Sequence, residues 1–226
     1  MRCPWDFKTT LFKAKISTAW NPDHSFPSGS LEGAIGKSGQ IAAEEETYLI
    51  QNDIKDEPFS DEIIEEMREF ASKEEEQNDG TTASVPWRAS AEERASRRDF
   101  TGHRVFTIDP TTARDLDDAL HIKPLGDGLY ELGVHIADVS YFVRPSTSVD
   151  EEARDRCTST YLVGRVIPML PRILCEEQCS LNPNVERLSF SVTWVMKEDG
   201  TMAEDHKPWF GRGIIRSCCK LDYPTA

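Results

Sequence analysis

Between Thr107 and Leu120 the chain reads Thr-Ile-Asp-Pro-Thr-Thr-Ala-Arg-Asp-Leu-Asp-Asp-Ala-Leu, which puts four carboxylates, Asp109, Asp115, Asp117 and Asp118, within ten residues. Carboxylates this close raise one another's pKa unless a cation neutralises them, and only Arg114 is nearby in sequence. Val105-Phe-Thr-Ile108 before the cluster has the outline of a buried strand, and Leu116, Ala119 and Leu120 inside it are apolar. These residues tie the charges to a core and argue against a merely solvated acidic turn. A hard divalent cation resolves the conflict. Mg²⁺ takes oxygen ligands and keeps several waters, which leaves positions open for a phosphate oxygen and an attacking water. A second ion about 3.5–4 Å away would complete a two-metal clamp on a phosphodiester. A calcium loop is excluded. With Asp109 as its first position, Arg114 falls where the loop needs Gly and Leu120 where it needs a bidentate Glu.

The rest of the composition sets the class. At 226 residues the chain is long enough for one or two domains with a core, so disorder throughout is not expected. No run approaches eighteen apolar residues, and Met1 to Lys8 has no apolar signal region, so a soluble intracellular chain is expected. Six cysteines (Cys3, Cys157, Cys175, Cys179, Cys218, Cys219) lack a matching His or Cys couple and read as reduced thiols. The net charge of −14 argues against nucleic acid only until it is mapped. Glu44 to Asp79 holds fifteen acids and three bases, a balance of −12, leaving 25 acids and 23 bases elsewhere, or −2. The acidity belongs to one segment, and the remainder is free to bind a polyanion.

Patterning divides the chain into three. Up to about residue 46, short apolar runs such as Leu11 to Ile16 alternate with breaks at Asn21-Pro22 and Pro27-Ser-Gly29 and with Gly33, Gly36 and Gly39. This is expected to be the remnant of a small β-domain, too short to close its own barrel. Over 47–97 an acidic helix is expected at 61–75, capped by Ser60, with Ile63, Ile64, Met67, Phe70 and Ala71 on one face. A polar linker, Gln77 to Arg98, follows it and docks through Trp87 beside Pro86. From 98 the pattern is mixed α and β: a strand at 105–108, a hairpin about Pro124 to Gly128, a helix from Ser148 towards Gly164 with Tyr161 in its last turn, and strands at 188–196 and 210–215. The fold class is therefore α+β.

The Asp109 to Leu120 stretch is followed by Gly133-Val-His-Ile-Ala-Asp-Val-Ser-Tyr-Phe-Val143, Val166-Ile-Pro-Met-Leu-Pro171 and Cys179-Ser-Leu-Asn-Pro183. Together these motifs closely resemble the catalytic module of the RNase II (RNB) exoribonucleases over residues 98–223. The form Asp-Pro-x-Thr-Ala-Arg-Asp-Leu-Asp-Asp is most like the eukaryotic Dis-three-like branch that lacks a PIN domain and degrades uridine-tailed RNA. More weakly, Trp20 and Phe26 to Glu46 are similar to the end of that branch's second cold-shock domain. The resemblance implies an OB-type remnant over 1–46, an acidic helix and linker over 47–97, and the opening of the RNB domain over 98–226. It makes Asp109, Asp115, Asp117 and Asp118 both catalytic residues and ligands for Mg²⁺, with Mn²⁺ as the alternative ion. Tyr161 falls on the tyrosine that stacks on a base at the RNA 3′ end, a role open to an aromatic because every base offers a π-face.

His135 and Asp138 read as structural. The Leu that the family usually has before Cys179 is Gln178 here, a change expected to alter packing. The match ends before the family's arginine-rich motif and S1 domain, so the resemblance implies a partial chain. Two functions of different class are carried forward. One is a magnesium-dependent hydrolytic 3′→5′ exoribonuclease, cytoplasmic, acting on single-stranded and 3′-oligouridylated RNA, with no membrane or DNA partner expected. The other is a non-catalytic RNA- or partner-binding fragment that keeps the metal ligands.

Overall fold

A computed structural model describes residues 7–19, 22–71, 73–76, 82–85 and 87–226. Cys3, Trp20, Asn21, Gln77 and Pro86, each singled out above, lie outside the described residues. The chain divides into two compact units, and each is described by itself. The first comprises Met1–Pro58 with Ser159–Ile167, and the second Phe59–Thr158 with Pro168–Ala226.

In the first unit, β1 (Thr10–Ile16) and β2 (Gly29–Lys37) form an antiparallel pair with register shifts at Leu11/Phe12 and Lys13/Ala14. A helix not anticipated from the sequence, α1 (Ile41–Gln51), follows directly. Its start is made by Glu44, whose Oε1 accepts from the Gly39 N–H at 2.7 Å and from the Ser38 hydroxyl at 3.1 Å. The helix lies close on β2 at Gly36, where a Cβ would come within 2.8 Å of the Ala43 Cβ. Any larger residue there would push the two elements apart.

The second unit carries the core. It starts with α2 (Asp61–Glu66), whose N-cap Ser60 accepts from the Ile63 N–H. The expected helix over 61–75 is shorter than predicted. It tightens into a 3₁₀ turn at Met67–Phe70 and stops there, and the Gln178 amide donates to the Phe70 carbonyl at 2.7 Å. The amide thus satisfies a helix-end carbonyl that a leucine could not. After the backbone pair β3 (Lys73–Glu76) and β4 (Thr82–Val85), Trp87 docks as anticipated, edge-on to Phe70 and Phe142.

Next come α3 (Ala91–Ser96), β5 (Arg98–Asp99), β6 (Val105–Ile108), β7 (Asp118–Gly126) and β8 (Leu129–Ala137). The β7–β8 hairpin turns through Asp127 and Gly128, both at positive φ, the conformation that a two-residue turn between twisted strands requires. Two helices, α4 (Val139–Phe142) and α5 (Ser148–Arg156), precede the last long strands, β11 (Glu186–Lys197) and β12 (Trp209–Leu221).

Strand order is β11-β8-β7-β6-β12-β5, and β11 also pairs with β12, so β11, β8, β7, β6 and β12 close into a ring, with β5 pairing on β12 along the edge opposite β11. Closure removes the open edges that an ordinary sheet must protect. The β12–β6 and β12–β5 pairings are parallel and the others antiparallel. Phe100, Val105, Leu116, Ala119, Leu188, Ile214 and Ile215 lie in the buried cluster, together with Val149 from α5 and Met67 and Phe70 from the 3₁₀ turn. Part of the acidic segment is structural. Glu62 accepts from the Ser148 hydroxyl at 3.0 Å and Glu66 from the Val149 N–H at 3.3 Å, so both carboxylates sit at the positive end of α5.

The reading of 148–161 as one helix needs correction. The N-cap is Thr147, whose hydroxyl accepts from the Asp150 N–H, and the helix ends at Arg156 because Cys157 adopts φ 63°. Tyr161 is therefore not in its last turn. It lies on β9 (Thr160–Tyr161), which pairs with β10 (Val166–Ile167) in the first unit.

Candidate functional site

The four aspartates occupy the connection from β6 to β7 in the second unit, and backbone contacts hold it along its length. Asp109 follows the last residue of β6, and its N–H donates to the Leu221 carbonyl at the end of β12 (3.0 Å). Lys220 Nζ then donates to the carbonyls of Thr111 (3.2 Å) and Ala113 (2.6 Å). Farther along, the Ser180 hydroxyl donates to the Arg114 carbonyl at 2.7 Å and accepts from the Leu116 N–H at 3.1 Å. The Leu181 N–H reaches the Leu116 carbonyl at 2.9 Å, and the Leu116 side chain, 1% exposed, anchors the loop in the core. Asp117 accepts from the Ala137 N–H at 2.9 Å through its carbonyl, and Asp118 opens β7 opposite Ile136.

This scaffolding leaves the other three carboxyl groups near enough to Asp117 for their charges to act on it. The Asp117 carboxyl is pushed above the usual carboxylate range, first by desolvation and then by the negative charges of Asp115, Asp118 and Asp109. Asp109 Oδ2 is buried and has no hydrogen-bond partner. The Arg114 side chain is largely exposed and lies 3.7 Å from Glu176. A buried, unpartnered carboxylate oxygen among like charges is what a divalent ion with oxygen ligands would satisfy, so these residues fit such an ion.

Nearby groups are quiet by comparison. Asp138 is 3% exposed and paired with Arg97 at 2.7 Å, in keeping with a structural part. His135 is fully buried between His121 and the Ser191 hydroxyl, and burial pushes its pKa down to about 3, so the ring stays neutral. The thiols of Cys175 and Cys179 are pushed up by burial, to about 11 and about 12, and remain protonated. Tyr161 belongs to the other unit, where its side chain is 64% exposed.

Sequence reasoning found the four carboxylates but not the residues that hold them. Ser180 had a signal, since it lies inside the Cys179-Ser-Leu-Asn-Pro183 motif. Lys220 had none, because nothing local in sequence connects it to residues 111–113.

A closed β-ring with a pinned loop of four aspartates defines a class of protein, and comparison with known proteins identifies it. Residues 97–226 match the RNB domain family model and residues 2–53 the Dis3-like cold-shock domain 2 model. The chain belongs to the RNB family. It is 44% identical to DIS3-like exonuclease 2 of Xenopus tropicalis over 231 residues, covering 99% of this chain and 26% of that protein. It is also 40% identical, over 207 residues, to an Arabidopsis thaliana protein named inactive exonuclease DIS3L2, covering 92% of this chain and 18% of that protein. The structure of Mycoplasma genitalium RNase R in complex with ribose-methylated single-stranded RNA superposes with a TM-score of 0.75 at 26% identity, covering 96% of this chain and 30% of that one. The chain thus spans about a quarter or less of the length of the curated relatives it matches.

Proposed function

We propose that this chain supplies the ion-binding part of a hydrolytic 3′→5′ exoribonuclease that acts on single-stranded RNA and releases 5′-mononucleotides. The observation that carries the reading is the gathering of Asp109, Asp115, Asp117 and Asp118, in which the Asp117 carboxyl is pushed up by burial and by its neighbours' charges and Asp109 Oδ2 is buried without a hydrogen-bond partner. Mg²⁺, with Mn²⁺ as the alternative, matches an all-carboxylate donor set. Such an ion, when bound, supplies an activated water and stabilises charge on the scissile phosphate. The chain's own residues set the geometry. The Leu221 carbonyl fixes the backbone at Asp109, Ser180 fixes it on both sides of Asp115, and the Asp117–Ala137 bond fixes the start of β7. The exposed Tyr161 ring offers a stacking surface for a base near the 3′ end. Kinship with proteins named exonucleases supports the substrate class. A 3′-oligouridylated substrate and a cytoplasmic location complete the proposal.

The relative named as inactive favours keeping a second reading, a non-catalytic segment that binds RNA or a protein partner and retains the carboxylates. One set of measurements separates the two. Calorimetric titration of the chain with Mg²⁺ and with Mn²⁺ is expected to show binding that Asp109→Asn and Asp118→Asn weaken. In the protein that carries this segment, 5′-labelled single-stranded RNA is expected to shorten from its 3′ end, and Asp117→Asn to stop hydrolysis while RNA stays bound. Equal ion uptake by both Asn variants would show that these residues are not the ligands. RNA that binds but is never shortened would establish the second reading.

A further inference from the structure

On the other face of β7 from Asp118, the ring encloses a second group of ligand-type side chains. Side chains alternate along a strand, so His121 points inward where Asp118 points out, and it is 2% exposed. His103, from the segment between β5 and β6, and Glu131, on β8, converge on it. One ligand-type atom from each of His103, His121 and Glu131 lies within 4.8 Å of the other two. Glu131 Oε1 stands 3.5 Å from His103 Nε2 and 3.5 Å from His121 Nε2. These separations are at the outer limit of a hydrogen bond, so the buried His121 Nε2 faces Glu131 without a well-formed one. The two Glu131 separations match the edge of a tetrahedron about a zinc ion, about 3.3–3.6 Å when zinc lies about 2.0–2.2 Å from each ligand atom, and the ligand atoms of His103 and His121 lie within 4.8 Å of each other, a gap that a bound ion would draw in.

The surroundings prepare the three groups for that role. His121 Nδ1 is 2.8 Å from His135 Nε2, and His135 Nδ1 is 2.8 Å from the Ser191 hydroxyl, which in turn lies 2.9 Å from that of Ser189. When protons run along this chain from His121 towards Ser191, a lone pair on His121 Nε2 faces Glu131. Hydrogen bonding of the distal ring nitrogen is the usual support of a metal-bound histidine. Arg98 Nη2 holds Glu131 Oε2 at 3.2 Å, which leaves Oε1 to face the two imidazoles. Arg98 is itself fixed by its bond to the Thr193 hydroxyl and by stacking 4.8 Å from both the Phe100 and Trp209 rings. Gly133 makes room for the arrangement, since a Cβ there would come within 2.2 Å of the His121 ring.

We propose that His103, His121 and Glu131 form a binding site for a transition-metal ion of the Zn²⁺ type, separate from the aspartate loop, with a fourth position open to water. Two imidazoles and one carboxylate are a donor set that selects zinc over the hard ions that an all-carboxylate site takes.

The test titrates the folded chain with Zn²⁺ against a chromophoric chelator and with Co²⁺ as a visible-absorption probe of coordination. With Mg²⁺ in large excess to occupy the aspartate loop, one tightly held Zn²⁺ per chain is expected, with the d–d bands of tetrahedral Co²⁺ and no thiolate charge-transfer band. Affinity is expected to fall at least tenfold in His103→Ala and in Glu131→Gln, and to be unchanged in Asp115→Asn and Asp118→Asn. His103 is only partly buried, so its loss leaves the core intact, and circular dichroism of each variant checks this. No Zn²⁺ uptake by the parent chain, unchanged affinity in a folded His103→Ala, loss of uptake in the Asp variants, or a thiolate band indicating Cys218 and Cys219 would each overturn the proposal.

Discussion

Asp138 and the four aspartates of the β6–β7 loop are the same residue type in the same unit, and the fold treats them in opposite ways. Asp138 is buried against Arg97 at 2.7 Å, with Arg212 at 3.9 Å. Arg97 uses its other nitrogens on Glu93 Oε1 (2.6 Å) and on the carbonyls of Ser189 and Gly213 (3.3 Å each), so the charges are balanced and the strands are cross-linked. In the loop, the backbone is pinned while the Asp117 carboxyl is pushed up by burial and by the charges of Asp115, Asp118 and Asp109, and Asp109 Oδ2 is buried without a hydrogen bond. A carboxylate that has found its own cation is part of the scaffold. One held rigidly without a cation is arranged for something that arrives from outside.

That contrast predicts its own largest effect. Asp138→Ala leaves the Arg97 guanidinium buried without its counter-charge and is expected to cost about 3–5 kcal/mol. Asp117→Asn removes a repelled charge from the loop and is expected to change stability by no more than about 0.5 kcal/mol when no divalent ion is present. Urea unfolding of the two variants beside the parent chain measures both, and equal losses would erase the distinction between scaffold and site.

A smaller effect sharpens the same contrast inside the ring. Gly133→Ala drives a methyl group into the His121 ring and is expected to cost about 1–3 kcal/mol through overpacking. Gly102→Ala, where nothing lies near the added Cβ, is the control and should be close to neutral. Denaturation midpoints compare them. A Gly133→Ala variant as stable as Gly102→Ala would mean that the His121 ring does not hold its place over β8.

How much of this was legible in the sequence depends on how local the cause is. Strand β6, the β7–β8 hairpin and β11 follow from apolar alternation and an Asp-Gly turn, signals carried by neighbouring residues. The four aspartates are legible for the same reason, since one short stretch contains them all. Ring closure was not, because it requires β11 to pair with both β8 and β12 and β12 to run parallel to β6. The end of α5 was missed because the Val149-to-Tyr161 apolar spacing continues past the point where Cys157 turns to positive φ. The histidine cluster was invisible because His103, His121 and Glu131 are contributed by a loop and two strands. Only the assembled ring brings them together.

Acidification is expected to act on the two regions with opposite sign. Burial holds the His135 pKa down to about 3 in the folded chain, against the ordinary imidazole value of 6.5 that the unfolded chain regains. Between those values the unfolded chain binds a proton that the folded chain refuses, so stability falls as pH drops from 6.5 towards 3. The slope approaches about 1.4 kcal/mol per pH unit for one such group. Asp117 works the other way. Its folded pKa is raised above 3.8, so the folded chain takes up the proton first and gains stability as pH falls through that window. Urea unfolding across mildly acidic pH should therefore give a shallower slope in His135→Gln and a steeper low-pH fall in Asp117→Asn. Identical slopes in all three proteins would show that neither group governs the acid response.

The smallest stability effect is expected at Tyr161. Its side chain is largely exposed on the two-residue strand β9, so Tyr161→Ala should alter the free energy of urea unfolding by no more than about 0.5 kcal/mol. Its consequence belongs to RNA instead. A base stacked on an aromatic ring contributes about 1–3 kcal/mol, and losing it should weaken the hold on short RNA and lengthen the final product of digestion. The ion-binding behaviour of the aspartate loop should stay as in the parent, because no aspartate is altered. A gel of digestion products together with an Mg²⁺ titration reads both arms. A final product of parental length would remove Tyr161 from the RNA path, and weakened ion binding would show that the tyrosine acts on the loop and not on the base.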